Sequence, residues 1–483
     1  MSENSSSLKE KTAKGLLWGG INNSAQQILN LVFGIFISRI LTPSDYGMVG
    51  MLTIFSLMAS TIQESGFTAA LANKKEIKHE DYNAVFWFNV ITGISLYIIL
   101  FFLSPYIAQF YHTPELIPLS RYIFLGFVIA SFGTAHNAWL FRQLKVKQKA
   151  IIQLTSLCLS GLTGVLLAVM GAAYWGIATQ SLIYVASNSI LFWLYSGWRP
   201  TLNIDLSPLK TMIGFSSKIL LTNIVSNINN NMLSVVLGKF YTEKEVGLFN
   251  QANKWTSMGY STIQGMINGV AQPVLRDVAD DRERQCRVFR KMLRFTAFVS
   301  FPTLFGLSVI APELITITIT DKWSGSAVLM QILCIGGAFM PIQNLYTNLL
   351  ISKGRSDLFM WNTIIIGCLQ ICSALICHPY GLRVMIIAYI CINILWLAVW
   401  HYFVRREIGL SLFSALKDIL PFMGISMVCM VTALYASQFT ENVYISAIIK
   451  IAVAAIMYIL FMKLSGSVTF REAVGYILKK KMP

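Results

Sequence analysis

Residues 11–51 read KTAKGLLWGGINNSAQQILNLVFGIFISRILTPSDYGMVGM. A basic start leads into an apolar run over 15–41, the turn SRILTPSDYG (38–47) interrupts it, and a second apolar run extends over 48–72. A helix needs about 20 apolar residues to cross a bilayer, so this stretch predicts two spanning helices joined by a short turn. The polar residues before the first run include no small-residue cleavage site, which predicts a retained tail instead of a signal peptide.

The same pattern recurs along all 483 residues, of which 55% are hydrophobic and only 12% charged, with a mean hydropathy of +0.61. Soluble domains carry about 25% charged residues. The alternating segments of about ten residues typical of a β-barrel are absent from the sequence. We therefore predict an all-α polytopic membrane protein with about fourteen transmembrane helices, near 15–41, 48–72, 83–104, 119–140, 150–170, 174–196, 211–238, 246–270, 295–318, 326–352, 357–377, 383–403, 418–437 and 443–463.

The net charge of +16 comes from basic residues whose positions are consistent with the predicted topology. With a cytoplasmic amino terminus, 29 of the 38 Lys and Arg residues fall in cytoplasmic segments, six at outer ends and three inside spans. This asymmetry is typical of a multi-pass protein of the cell (inner) membrane with both termini in the cytoplasm. Because no basic domain stands apart from the spans, we expect no nucleic-acid partner. The segment 273–294 and the tail 468–481 are each predicted as an amphipathic cytoplasmic helix.

Cysteine and histidine patterns indicate neither a metal site nor a catalytic one. The eight cysteines include no CxxC pair, no Cys/His cluster has metal-ligand spacing, and no Walker motif is present. We expect no cofactor, no metal and no direct use of ATP. His136 is the only histidine well inside a predicted span, where a hydrogen-bonded structural role is favoured over a proton carrier.

An internal repeat organises the chain. SRILTPSDYG (38–47) aligns with GKFYTEKEVG (238–247), which matches Thr42 with Thr242 and Gly47 with Gly247. Six spans separate the copies, so the repeat is parallel, about an axis normal to the membrane. It predicts a 6+6+2 plan: an N-terminal six-helix lobe (1–200), a second six-helix lobe (201–404), and two further helices with an amphipathic tail (405–483).

Polar residues form stripes on four of the spans. They lie on one face of each helix: Asn23, Gln27 and Asn30 in span one; Thr53, Ser56, Ser60 and Glu64 in span two; Asn223, Asn227, Asn230 and Ser234 in span seven; Asn250, Lys254, Ser257, Ser261, Gln264 and Asn268 in span eight. Interhelical hydrogen bonds would explain one such stripe. Four stripes on helices that the repeat makes equivalent favour a hydrated central cavity between the lobes.

The charged residues of the predicted spans indicate whether this predicted cavity would bind an anion or a cation. Lys254 lies about 12 Å from the outer end of its span, by the rise of about 1.5 Å per residue. Lys218, Arg39 and Lys239 are further candidates, although each of the four could instead extend to a membrane interface. Lys and Arg suit an anion such as a diphosphate. Glu64 is the one acid predicted in the cavity, either coupling transport to protons or sodium or hydrogen-bonding to nearby helix groups.

The stretch 11–51, the turn SRILTPSDYG and QESGFTAALANKKE (63–76) together resemble the bacterial polysaccharide-transporter branch of the multidrug/oligosaccharidyl-lipid/polysaccharide exporter superfamily. This resemblance implies a flippase that moves undecaprenyl-diphosphate-linked oligosaccharide from the cytoplasmic to the periplasmic leaflet by alternating access. The cargo would be an O-antigen, capsule, exopolysaccharide or teichuronic-type repeat. Spans one, two, seven and eight line the cavity in that family. Polysaccharide polymerases and glycosyltransferases are the protein partners to expect.

Two other functions stay open at this stage. A multidrug cation antiporter of the same superfamily would need buried acids for its cationic cargo. A membrane polysaccharide polymerase or ligase would need a large outer loop with catalytic residues. The short outer loops favour a transporter, not an enzyme.

Overall fold

The structure, a computed structural model, describes residues 2–64, 67, 71, 74 and 77–479. The part of the chain that it describes is all helical, with seventeen α-helices and three short 3-10 turns. The first eight are α1 (Ser2–Ile40), α2 (Pro43–Glu64), α3 (His79–Tyr111), α4 (Leu116–Arg142), α5 (Val146–Val169), α6 (Tyr174–Tyr195), α7 (Ile213–Phe240) and α8 (Glu243–Asp277). The remainder are α9 (Arg282–Val309), α10 (Ala311–Ile319), α11 (Ser324–Gly337), α12 (Met340–Ser352), α13 (Ser356–Cys377), α14 (Leu382–Ile408), α15 (Leu412–Ser437), α16 (Val443–Leu464) and α17 (Val468–Lys479).

Eleven helical segments among the described residues are long and apolar enough to cross a membrane. The three predicted spans that are not among these segments are α1, α7 and α8, three of the four helices that carry polar stripes. In the sequence these three stretches are rich in Asn, Gln and Ser. The chain is therefore a polytopic membrane protein, as predicted.

Two predicted spans are each made of two helices. Span nine comprises α9 and α10, and span ten comprises α11 and α12, with Pro312 and Pro341 in the first turn of the second helix in each case. A proline cannot donate a backbone hydrogen bond, so the ladder is interrupted there. Ser300 compensates at one break by donating from Oγ to the Ala338 carbonyl at 2.7 Å.

The prediction of one amphipathic helix over 273–294 is wrong. α8 continues to Asp277, a turn follows, and α9 begins at Arg282. Asp281 caps the new helix, because its carboxylate accepts the Arg284 backbone N–H at 2.9 Å. The tail does form the predicted helix, α17, in which Glu472 pairs with Lys291 of α9 at 2.8 Å.

Residues 1–247 form one compact unit and 248–483 another. In the first unit the loops before α3, after α4 and after α6 meet at one end, which we call the basic end (residues 71, 74, 77–82, 139–149 and 196–210). Asn83 Nδ2 there donates to the Asn203 carbonyl at 2.6 Å, and Arg142 Nη1 donates to the Leu71 carbonyl at 3.2 Å. The loops after the second, fourth and sixth predicted spans therefore lie at the same end of this unit, and the side of the membrane that this end faces stays a prediction.

In the second unit two buried ion pairs join the last two spanning helices to the rest. Asp418 of α15 accepts from Arg290 of α9 at 2.6 Å, with its side chain 4% exposed. Lys450 of α16 pairs with Glu313 of α10 at 2.5 Å, and both side chains are at most 10% exposed. The assignment of lobes to 1–200 and 201–404 concerns the repeat and stays a prediction.

Candidate substrate-binding residues

The polar residues of α1 lie on two faces. Asn22 Nδ2 donates to Gln153 Oε1 at 2.8 Å and Gln26 Nε2 donates to the same oxygen at 3.2 Å, so this face packs on α5. Successive residues of a helix point about 100° apart. The neighbouring residues Asn23, Gln27 and Asn30 are therefore turned away from α5, and all three are exposed.

The structure brings the polar faces of α2 and α7 together. Asn227 Nδ2 donates to Thr61 Oγ1 at 2.7 Å, and Asn231 Nδ2 donates to the Asn227 carbonyl at 3.0 Å. Asn227 is thus engaged between helices, whereas Asn223, one turn earlier, is exposed. The side chains of Lys218 and Asn230 lie outside the described residues.

Lys239 has a structural role in this conformation. Its Nζ donates to the Phe110 carbonyl at 2.7 Å, lies 3.0 Å from His112 Nε2, and sits 4.8 Å from the centre of the Phe110 ring. These contacts tie the end of α7 to the end of α3. Arg39, its counterpart in the repeat, is exposed in the last turn of α1.

The two turns of the repeat have the same local structure. Asp45 Oδ2 accepts from the Thr42 backbone N–H at 2.8 Å and from Oγ1 at 2.6 Å. Glu245 Oε2 accepts from the same groups of Thr242, each at 3.0 Å. In return, the Thr hydroxyl of each turn accepts the acid's backbone N–H at 3.3 Å. Each turn is therefore a reciprocal capping box that starts α2 or α8.

Each of the two turns is followed by a glycine at a position where two helix backbones come into close contact. A Cβ added at Gly47 would lie 1.8 Å from the Glu243 carbonyl oxygen, and one added at Gly247 would lie 1.8 Å from the Pro43 carbonyl oxygen. The first turns of α2 and α8 thus cross with backbone against backbone. No side chain larger than hydrogen fits at either position without separating the helices.

Lys254 lies about 16 Å along α8, by the rise of about 1.5 Å per residue. Its side chain is exposed within its own unit and forms no hydrogen bond or ion pair with any residue that the structure describes. On the same face, Gln264 Nε2 donates to the Met340 carbonyl at 3.4 Å, and Asn268 Oδ1 accepts from Asn348 Nδ2 at 2.9 Å. The amides on this face are therefore partly engaged, while the ammonium is available to a ligand.

Glu64 lies at the end of the described part of α2, and its side chain is exposed. Within 2–64, 67, 71, 74 and 77–479 it has no hydrogen-bond or ion-pair partner. Its role in coupling stays a prediction. His136, in contrast, is buried with Nδ1 2.6 Å from Ser196 Oγ, which is the structural arrangement expected for it.

Sequence reasoning missed the acids Glu313 and Asp418. Each is paired with a base more than 100 positions away, so no local spacing announces the contact. Asp418 and Arg290 occur at the predicted cytoplasmic ends of their spans. Charged residues are common at such ends, so neither residue indicated a buried ion pair. The one signal was Lys450, a lysine inside a span, since such a charge requires a partner.

Residues 36–328 match the family described as "Polysaccharide biosynthesis protein". The chain belongs to this family. It is 24% identical over 461 residues to the teichuronic acid biosynthesis protein TuaB of Bacillus subtilis (strain 168), covering 94% of this chain and 95% of that protein. It is also 26% identical over 358 residues to the lipopolysaccharide biosynthesis protein WzxC of Escherichia coli (strain K12), covering 73% of this chain and 72% of that protein.

Two solved structures have the same fold as this chain. The lipid II flippase MurJ, in an inward closed conformation, superposes with a TM-score of 0.73 at 16% identity and covers 93% of this chain and 99% of its own. An inward-facing multidrug resistance transporter of the MATE family has a TM-score of 0.65 at 18% identity, with coverage of 80% and 94%. The predicted resemblance to a polysaccharide family is confirmed by the match over residues 36–328, and these two structures show the fold that the chain shares.

Proposed function

We propose that this chain flips a lipid-linked oligosaccharide across the membrane. The observation that carries the proposal is its end-to-end similarity to TuaB, within a polysaccharide biosynthesis family and on the fold of a lipid II flippase. The drug antiporter and the polymerase or ligase are not better supported by these comparisons. We further propose that the chain does its work without a chemical step.

The charge on α8 supports an anionic cargo. Lys254 and the polar residues of its face are exposed within the second unit, and an exposed ammonium inside a span is costly in hydrocarbon. That face must meet water, protein or cargo. A diphosphate joined to a polyprenol supplies the complementary charge, because an ammonium pairs with phosphate oxygens. The exposed amides Asn23, Gln27 and Asn30 on α1 would hydrogen-bond sugar hydroxyls.

The proposed movement is alternating access from the cytoplasmic to the periplasmic leaflet of the inner membrane. In this movement the first turns of α2 and α8, which are in contact at Gly47 and Gly247 in the structure, would separate and close again. Lys239 would be released for cargo only when its bonds to Phe110 and His112 break. Glu64 is the candidate for coupling to protons or sodium.

The cellular setting follows from the proposed cargo. Both termini would lie in the cytoplasm, in accord with the clustering of basic residues in alternate loops. Glycosyltransferases would supply the lipid-linked oligosaccharide, and a polysaccharide polymerase would consume it on the other side. Nucleic acid is not among the proposed partners.

The function is tested by complementation. The gene, with its neighbouring glycosyltransferase genes, is expressed in a strain that lacks its own flippase and carries no drug efflux pumps. We expect surface polysaccharide to be restored and the lipid-linked precursor to leave the cytoplasmic leaflet. Restored resistance to cationic drugs without surface polysaccharide would instead favour the antiporter.

A further inference from the structure

A cavity of about 310 Å³ opens at the basic end of the first unit. The chain brings it together from three separate loops: Lys78 and His79 precede or begin α3, Arg142 ends α4, and Trp198 follows α6. Pockets for small molecules begin at about 300 Å³. The volume thus suits a headgroup rather than a whole lipid, and none of the residues placed in the cargo path lines it.

The described lining of the cavity is basic, with Lys78 and Arg142 as its charged side chains. Of the eight described residues that line it, none is acidic. The nearest acid on α3, Asp81, is engaged elsewhere, because Oδ1 pairs with Lys74 at 2.7 Å and Oδ2 accepts the Lys78 backbone N–H at 3.0 Å. The Lys78 ammonium is exposed and pairs with no residue that the structure describes.

Arg142 and His79 supply directed donors beside this ammonium. The Leu71 carbonyl accepts from Arg142 Nη1 at 3.2 Å, which fixes the guanidinium at the wall. A guanidinium has five N–H donors in a planar fork, so it can bind phosphate oxygens as well. His79 Nδ1 accepts from Trp198 Nε1 at 3.1 Å, which leaves Nε2–H as the donor of the neutral ring.

The aromatic wall and its surroundings locate the cavity at a lipid boundary. Trp139 and Trp198 line it, and such rings favour the depth of the headgroups. Apolar side chains nearby are strongly exposed, as if immersed in acyl chains: Leu202 (88%), Ile204 (55%), Phe141 (52%) and Leu144 (52%). A phosphate that enters from the side would therefore arrive attached to a lipid.

We propose that this cavity binds the phosphate of a membrane lipid headgroup, with Lys78, Arg142 and His79 on the phosphate and the two tryptophans against the glycerol or first isoprene. The lipid is a phospholipid of the leaflet at the basic end or a polyprenyl diphosphate carrier. Only the second source would rest on the proposed function. Basic pockets between spanning helices at the cytoplasmic side are a recurrent setting for anionic headgroups.

The test is a binding measurement on the purified full-length protein in phosphatidylcholine nanodiscs, which needs no transport. Phosphatidylglycerol, undecaprenyl diphosphate and inorganic phosphate are titrated separately, with thermal stability and native mass spectrometry as readouts. We expect one of the two lipids to bind and Lys78→Gln/Arg142→Gln to weaken it about tenfold or more, given about 1 kcal/mol per basic residue at a lipid surface. The variant Lys78→Glu, which removes no described side-chain contact, should also weaken binding if the double variant folds poorly.

The matched control is Lys147→Gln/Lys210→Gln, which removes the same charge at the same end but outside the cavity. It should bind the lipid as the parent does. Equal weakening by both double variants would mean general surface attraction and would overturn the site. Tight binding of inorganic phosphate without either lipid would overturn the assignment to a lipid.

Discussion

The charged residues of the spans differ in what each one contacts. Glu313 and Lys450 are buried against each other, and Lys239 is bonded to the end of α3. Lys254 has neither kind of partner among the described residues and is exposed within its unit. The sequence predicted Lys254 because it stands in a polar stripe, but it could not separate Lys254 from Lys239, since that depends on which helix end lies nearby.

Lys254 therefore carries the prediction about cargo. Lys254→Gln should cut flipping severely, because an ion pair with a diphosphate is stronger in a cavity of low dielectric than in water. Lys254→Arg should retain more activity, since a guanidinium also pairs with phosphate oxygens. Surface polysaccharide in the complemented strain measures both.

Lys244→Gln is the control, because Lys244 is exposed in the first turn of α8 and its charge is screened. Protein abundance is measured alongside. If Lys254→Gln transports as well as the parent at equal abundance, the lysine extends to an interface and does not bind cargo.

At the level of elements, the two turns of the repeat are where sequence and structure agree most closely. The matched pairs Thr42/Thr242 and Gly47/Gly247 predicted a shared turn, and each turn is a reciprocal capping box. The crossing of the two turns was not predictable, because it depends on the packing of α2 beside α7 and α8. Likewise, the break at 278–281 depends on a single cap, Asp281, within a continuous polar run.

The crossing yields a prediction for Gly47→Ala and Gly247→Ala. Each added methyl would meet a backbone carbonyl oxygen at 1.8 Å, which the helices can relieve only by separating. Overpacking costs about 1–3 kcal/mol, so an obligatory contact in the cycle should slow flipping about tenfold or more. Vesicle transport rates at matched protein abundance measure the effect.

Gly214→Ala is the matched control on α7. A Cβ added there meets no described atom within 4 Å, and alanine favours a helix over glycine by about 1 kcal/mol. Its rate should equal that of the parent. Unchanged rates for Gly47→Ala and Gly247→Ala as well would show that the turns need not close during transport.

At the scale of the whole molecule, composition and periodicity were sufficient for the fold class. The polar helices α1, α7 and α8 are not among the eleven described segments that are apolar enough to cross, and the sequence predicts that they cross because basic residues fall in alternate loops only if they do. The attachment of the C-terminal helices was not predictable. It rests on the pairs at Asp418 and Glu313, which join residues far apart in the chain.

Topology gives the prediction at this scale. In a variant without native cysteines, single cysteines at Glu115, Ser324 and Glu441 should react with an impermeant thiol reagent added outside intact cells. Cysteines at Asp205 and Glu283 should react only after the membrane is opened. All five positions are exposed, so access and not burial decides the labelling. Outside labelling at Asp205 or Glu283 would contradict the fourteen-helix arrangement.

The pair between Glu313 and Lys450 has a consequence for how the protein is made. The two residues are 137 positions apart, so the ribosome delivers the acid well before the base. At roughly 5–20 residues per second, the delay is on the order of ten seconds. During that interval α10 carries a carboxyl group without its partner, and an unpaired buried charge costs about 3–5 kcal/mol. We therefore expect the second unit to complete its packing only after α16 is made, and a chain that stops before Lys450 to be less stable in the membrane than the full chain.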